Sequence, residues 1–128
     1  MPAKLLIDAD VLIDYLRDQE AAVSYLESLR PPLLMSAVSV AELYAGVREG
    51  DERTILAEFI YTFEIVPVNK EIAMAGGLYR RDYGKSHGVG INDALIAATA
   101  VLSNAELVTL NRKHFPMLGS ITVPYQKG

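Results

Sequence analysis

Lys4-Leu5-Leu6-Ile7-Asp8-Ala9-Asp10-Val11-Leu12-Ile13-Asp14 passes from an apolar run of strand length to helical spacing within a few residues. Residues 4–8 read as a strand, and residues 11–17 follow as a helix with Asp10 in the N-cap position. The same alternation continues along the chain. Residues 33–36, 64–68 and 106–109 are further strand candidates, and residues 119–123 are a fifth candidate. Between them lie helical patterns. Residues 20–29 carry Val23, Leu26 and Leu29 on one face and are stopped by Pro31-Pro32. Ser39-Val40-Ala41-Glu42 reads as a capping box opening a helix that ends near Gly46. After Gly50-Asp51, residues Ile55, Leu56, Phe59, Ile60 and Phe63 fall on one helical face. Residues 70–83 continue as a helix, and residues 84–90 (GKSHGVG) read as a loop. Residues 93–102, capped by Asn92, form a helix apolar nearly all round, which predicts central burial. Strands alternating with helices predict an α/β fold, a parallel sheet of four to five strands flanked by helices, in one domain spanning residues 1–128.

Composition narrows the chemistry. The 128 residues are 51% hydrophobic and 22% charged, as in an ordinary globular protein. There is no cysteine, which excludes disulfides, thiolate zinc sites, iron–sulfur clusters and a cysteine nucleophile. Two histidines exclude a histidine-rich metal cage. The net charge is −4, whereas a protein that holds long duplex DNA by charge is normally basic. Any nucleic-acid contact must therefore be local, brief or metal-assisted. The run Leu5-Leu6-Ile7 is stopped by Asp8 and Asp10, too early for a signal-peptide core. The longest apolar stretch, residues 94–102, falls far short of the ~20 residues that span a bilayer. The expectation is a soluble, cytoplasmic protein with no membrane association.

In open parallel sheets, sites form at the carboxyl ends of the strands. Asp8 ends the first strand, Glu42 lies one turn into the helix after the second, and Asp93 opens the apolar helix. Clustered carboxylates repel one another, and taking them out of water costs energy. A divalent cation relieves both, and Mg2+ or Mn2+ prefers such hard oxygen ligands. An ion so held can activate water and stabilise a phosphodiester in transition. Each acid also has a structural reading: an Asx turn for Asp8, the capping box for Glu42, the helix dipole for Asp93. Asp10 reads as a cap, Asp14 as exposed, and His87 and His114 as surface residues. Arg80, Arg81 and Lys85 form a basic group, either a solvated helix end or a contact for phosphates. Gly84-Lys85-Ser86 lacks the first glycine of a P-loop.

Four stretches together resemble the PIN-domain family. They are residues 5–14 quoted above, Val38-Ser39-Val40-Ala41-Glu42-Leu43-Tyr44-Ala45-Gly46, Asn92-Asp93-Ala94-Leu95-Ile96-Ala97-Ala98-Thr99-Ala100, and Leu107-Val108-Thr109-Leu110-Asn111-Arg112-Lys113-His114-Phe115. They occur in order over essentially the whole chain, and its size looks most like the toxins of VapBC toxin–antitoxin pairs. The resemblance implies a Mg2+- or Mn2+-dependent endoribonuclease acting on tRNA or ribosomal RNA. It also implies a homodimer inhibited by a cognate antitoxin. Asp8, Glu42 and Asp93 match the three core acids, as catalytic residues and metal ligands. Two positions depart from the pattern. Asp10 stands where Asn, Ser or Thr is common, and both Asn111 and His114 are non-acidic where one is often a fourth acid. Asp10 is a candidate replacement, and Asn111 keeps an amide able to hold a water. Two alternatives stay open: a non-catalytic PIN-like binding module, and a phosphatase of the haloacid dehalogenase type using Asp8 and Asp10.

Overall fold

Leu6 and Ile7 are neighbours in one strand and both are fully buried, so the sheet must be covered on both faces. The computed structural model describes residues 4–127. In chain order the elements are β1 (Lys4–Ile7), α1 (Ala9–Leu16), α2 (Glu20–Glu27), β2 (Leu34–Ser36), α3 (Ala37–Ala45), α4 (Asp51–Tyr61) and β3 (Glu64–Val66). There follow α5 (Lys70–His87), α6 (Ile91–Leu102), β4 (Ala105–Val108), a 3-10 turn (Arg112–His114) and β5 (Ile121–Thr122). All five strands run parallel, in the order β3-β2-β1-β4-β5. The chain builds outward from β1 on one side, then crosses back to lay β4 and β5 on the other. Strand order therefore reverses between β1 and β4, and a crevice opens there at the carboxyl ends.

Strand alternation divides the core in two. Ile7, Met35 and Val108 face one layer with Val11, Leu12, Leu26, Leu43 and Leu56. Leu6, Leu34 and Leu107 face the other with Ile96, Ala97, Ala100 and Phe115. Each large side chain so buried contributes about 1.5–3 kcal/mol relative to exposure. The central position expected for the apolar helix is observed: Ala94 and residues 96–100 of α6 are all buried. Among the described residues no helix is long and apolar enough to cross a membrane.

Three local expectations are corrected. The helix after β2 starts three residues early, because Ser36, at the very end of the strand, caps it by accepting the Val38 N–H at 3.0 Å. Ser39 and Glu42 therefore lie inside α3 and form no capping box. The segment 84–90 is mostly helix: α5 runs on to His87 and ends at Gly88, whose φ of 66° suits a left-handed helix stop. Gly84 does not break α5, and the Arg80 guanidinium folds back over it, into space a Cβ would fill. Finally, α6 begins at Ile91 with Gly90 as its N-cap, so Asn92 lies in the first turn and caps nothing.

A second glycine of α5 sets its distance from α6. A Cβ at Gly76 would stand 2.6 Å from Leu95 Cδ2 and 3.1 Å from Leu95 Cα, and a backbone atom cannot swing away. At neighbouring Gly77 a Cβ would meet nothing within 4 Å. Gly76→Ala should therefore lower stability by about 1–3 kcal/mol through overpacking. Gly77→Ala should be neutral or add up to ~1 kcal/mol through helix propensity. Urea denaturation of both variants checks this, and a Gly76→Ala protein as stable as the native one would contradict it.

Candidate active site

Asp8 and Thr109 follow paired residues of the two central strands, Ile7 in β1 and Val108 in β4, so parallel pairing sets them side by side. The Asp8 N–H donates to Val108 O at 2.9 Å and carries the ladder to its end. The side chain then does two things. Oδ1 accepts the Ala9 N–H at 2.8 Å, making Asp8 the N-cap of α1, and Oδ2 accepts the Thr109 hydroxyl at 2.8 Å. Both Asp8 and Thr109 are buried. Burial pushes the Asp8 carboxyl up to about 7, and the nearby charges of Asp10 and Asp93 add to the rise against these two hydrogen bonds.

Asp10 is not the N-cap expected from the sequence, since the helix begins one residue before it. Its Oδ1 accepts the Val11 N–H at 2.7 Å and its Oδ2 the Leu110 N–H at 2.9 Å, tying α1 to the segment after β4. The Thr109 oxygen is also 3.2 Å from Asp10 Oδ2, so one hydroxyl proton is shared between two carboxylates. Burial raises the Asp10 carboxyl, and the Leu110 and Val11 bonds oppose it. Asp14, expected to be exposed, is buried. It accepts the Tyr125 hydroxyl at 3.0 Å and pairs with Lys127 at 2.9 Å, both from a C-terminal tail that returns across α1.

Glu42 is half-buried on α3. Its Oε1 is buried with no hydrogen-bond partner among the described residues, as is the Ser39 hydroxyl one turn earlier. Burial raises the Glu42 carboxyl, with further contributions from Asp93 and Asp10. Asp93 lies in the first turn of α6. Burial raises its carboxyl too, partly offset by His114, whose Nδ1 stands 3.0 Å from Asp93 Oδ2. The Asn111 side-chain nitrogen lies 3.0 Å from His114 Nδ1 and 3.3 Å from Nε2. His114 is exposed as expected, but it is bound to a site acid rather than idle.

The crevice thus gathers Asp8, Asp10, Glu42 and Asp93, with Asn111 reaching Asp93 through His114. Arg80, Arg81 and Lys85 are all exposed on α5 and none is paired with these acids among the described residues; Arg81 pairs with Asp82 at 2.8 Å. Thr109 is the residue sequence reasoning missed, and its place at a strand end beside Asp8 was the available signal. An all-oxygen donor set with an unpartnered buried carboxylate oxygen fits a hard cation. Among the described residues no three His, Asp or Glu side chains sit at direct metal-ligand spacing. Mg2+ usually keeps several of its waters, so its protein ligands need not fill every position. Beside Glu42, a groove of about 560 Å3 opens between α1, α3 and α4, lined by the apolar Ile13, Leu16, Leu43, Val47 and Ile55 and also by the charged Arg17, Arg48 and Glu52.

Comparison with known proteins places this geometry in context. Residues 5–118 match the family described as PIN domain. The chain is 40% identical over 124 residues to Ribonuclease VapC10 of Mycobacterium tuberculosis, covering 94% of this chain and 92% of that one. It is 39% identical over 124 residues to Ribonuclease VapC19 of the same organism, covering 94% and 98%. A solved toxin–antitoxin complex from Klebsiella pneumoniae contains a chain of similar fold, with a TM-score of 0.85, 27% identity, and coverage of 97% of this chain and 100% of that one.

The raised Asp8 carboxyl has a consequence for stability. Its folded value of about 7 lies above the ordinary 3.8, so the folded chain binds this proton more tightly than the unfolded chain does. Stability is then lost as pH rises from about 4 through about 7, by ~2–4 kcal/mol for this group when no cation is bound. In EDTA, the native protein should be more stable at pH 5 than at pH 8, and Asp8→Asn should flatten that slope while keeping the cap. Equal slopes for native and Asp8→Asn in denaturant titrations would contradict the assignment.

Proposed function

This chain belongs to the PIN domain family, and we propose that it is a Mg2+- or Mn2+-dependent endoribonuclease, the toxin of a type II toxin–antitoxin pair. The observation that carries the reading is the gathering of Asp8, Asp10, Glu42 and Asp93 at the reversal of strand order, each with its carboxyl raised by burial. Relatives named as ribonucleases and a similar chain in a toxin–antitoxin complex support it.

Asp8, Glu42 and Asp93 would hold the ion, with Asp10 in support. When bound, it supplies a Lewis acid that stabilises a phosphodiester in transition and makes water nucleophilic near neutral pH. The protein's part is positioning. The Thr109 hydroxyl and the Ala9 N–H fix both oxygens of Asp8, and α6 carries Asp93 on a buried, rigid element. Arg80, Arg81 and Lys85 bind RNA phosphates, giving a local basic contact on a chain of net charge −4. The substrate class is tRNA or ribosomal RNA, and the protein works in the cytoplasm. The partner is an antitoxin whose apolar segment fills the groove beside Glu42 and carries an arginine or lysine toward the acids, where a guanidinium pairs with carboxylate as a fork. A second copy packs to form a homodimer, for which Met74 and Leu78, exposed one turn apart on α5, offer apolar surface.

The test uses native protein, Asp8→Asn and Asp93→Asn. Asparagine caps and turns about as well as aspartate, so a purely structural role would survive the change. Mg2+ should raise the thermal midpoint of the native protein and leave both variants nearly unmoved, since the native chain alone gains binding free energy. Cleavage of total tRNA should fall by orders of magnitude in both variants. Variants that cut at native rates, or a native midpoint indifferent to Mg2+ and Mn2+, would overturn the reading. Hydrolysis of a phosphomonoester instead of RNA would favour a phosphatase, and neither activity would favour a binding module.

A further inference from the structure

Arg80, Tyr83, Gly84 and His87 fall at i, i+3, i+4 and i+7 on α5, so they share one face of its last turns. Met74, Leu78, Arg81 and Lys85 share a different face. Helix geometry thus divides the basic group, and Arg80 alone belongs with the aromatic rings. Tyr79, one turn before Tyr83, leads this first face into the core, where it packs on the buried cluster that includes Phe115. The rings then climb the helix as a ladder. Tyr79 and Tyr83 stand 6.5 Å apart between centroids, and Tyr83 meets His87 edge to face at 5.6 Å. The Ser86 hydroxyl oxygen lies 2.7 Å from His87 Nδ1 and holds the imidazole a second time. Tyr79 and Tyr83 are half-buried and His87 is exposed, so the ladder opens to solvent as it rises.

Both ends of the ladder lead to Asp93. At the inner end Phe115 adjoins His114, whose ring is bonded to Asp93. At the outer end a three-residue link, 88–90, joins His87 to α6, whose third residue is Asp93. The face therefore borders the Asp93 flank of the crevice. A chain of net charge −4 with four gathered acids repels a polyanion, so a strand reaching the crevice needs attraction beside it. Arg80 makes no ion pair among the described residues, and its guanidinium lies over Gly84 on the ladder's own face. Phosphate attraction does not tell a strand from a duplex, but aromatic rings do, because only an unpaired base offers its face for stacking. We propose that Tyr83 and His87 form a stacking subsite for an unpaired base of the RNA, with Arg80 holding an adjoining phosphate. The proposal rests on the ribonuclease reading above and names the part of the substrate that α5 receives.

Binding of a short fluorescein-labelled RNA strand of mixed sequence, followed by anisotropy, tests it with the full chain. EDTA in the buffer keeps binding separate from metal-dependent cleavage. His87→Ala should weaken binding roughly 5- to 100-fold, the loss of one stacked base. His87→Phe keeps a ring and should bind nearly as the native chain does. Arg80→Ala should lower the slope of log affinity against log salt by about 0.7, the share of one phosphate on a single strand. Annealing the strand to its complement hides its bases, and His87→Ala should then cost nothing. Tyr83→Leu should weaken binding of the free strand and Tyr83→Phe should not; if Tyr83→Leu does not fold, the His87 variants decide the matter. Unchanged strand binding in a folded His87→Ala protein would overturn the proposal, as would an equal loss in His87→Phe or on the duplex. A native chain that cuts tRNA with Mg2+ but gives any of these results loses the stacking subsite and keeps the ribonuclease reading. A native chain that neither binds the strand nor cuts tRNA overturns both.

Discussion

A buried carboxylate at the junction of the two central strands is the constraint around which the rest is arranged. Asp8 terminates β1, caps α1 and receives the Thr109 hydroxyl from the end of β4. Those three roles require β1 and β4 to be paired in their observed register and α1 to begin at once. They also require the segment after β4 to pass close by, which Asp10 secures through the Leu110 N–H. Burial makes the charge costly, and three more acids nearby make it costlier. The fold tolerates this because Ile7, Val11 and Leu12 beneath it, and residues 96–100 of α6 on the opposite face, are buried. Stability is held in the two apolar layers, and the strained electrostatics sit at the sheet edge where a ligand can reach them.

The acids are also graded in how they are held. Asp8 is fixed by two neutral donors, Asp10 by backbone groups, and Asp93 by an imidazole, whereas Glu42 retains an unpartnered oxygen. On the proposed function, a basic residue of a partner and a divalent ion would meet the same unmet negative charge.

Much of this was legible in the sequence because it is local. Apolar runs of strand length alternating with helical patterns pointed to the parallel sheet, and the positions of Asp8, Glu42 and Asp93 after strands or at a helix start pointed to its carboxyl edge. The misreadings share a physical cause. Ser36 and Ser39 compete for the same cap, and the choice depends on where β2 ends rather than on either serine. Gly84 looks like a helix breaker, yet α5 carries on past it under the folded-back Arg80 side chain. Asp14 is buried by Tyr125 and Lys127, and Asp93 is met by His114, through chain returns that no local period encodes. Thr109 belongs to this group, since its role exists only once β1 and β4 are paired.

The central claim, that the carboxylates at the reversal of strand order hold a divalent cation, is tested most directly by diffraction. Crystals of the native chain grown with Mn2+ should show an anomalous peak at the manganese edge in the crevice, bound directly or through water by Asp8, Glu42 and Asp93. A map with no peak there at saturating Mn2+, or with its strongest peak at another part of the molecule, would contradict the claim.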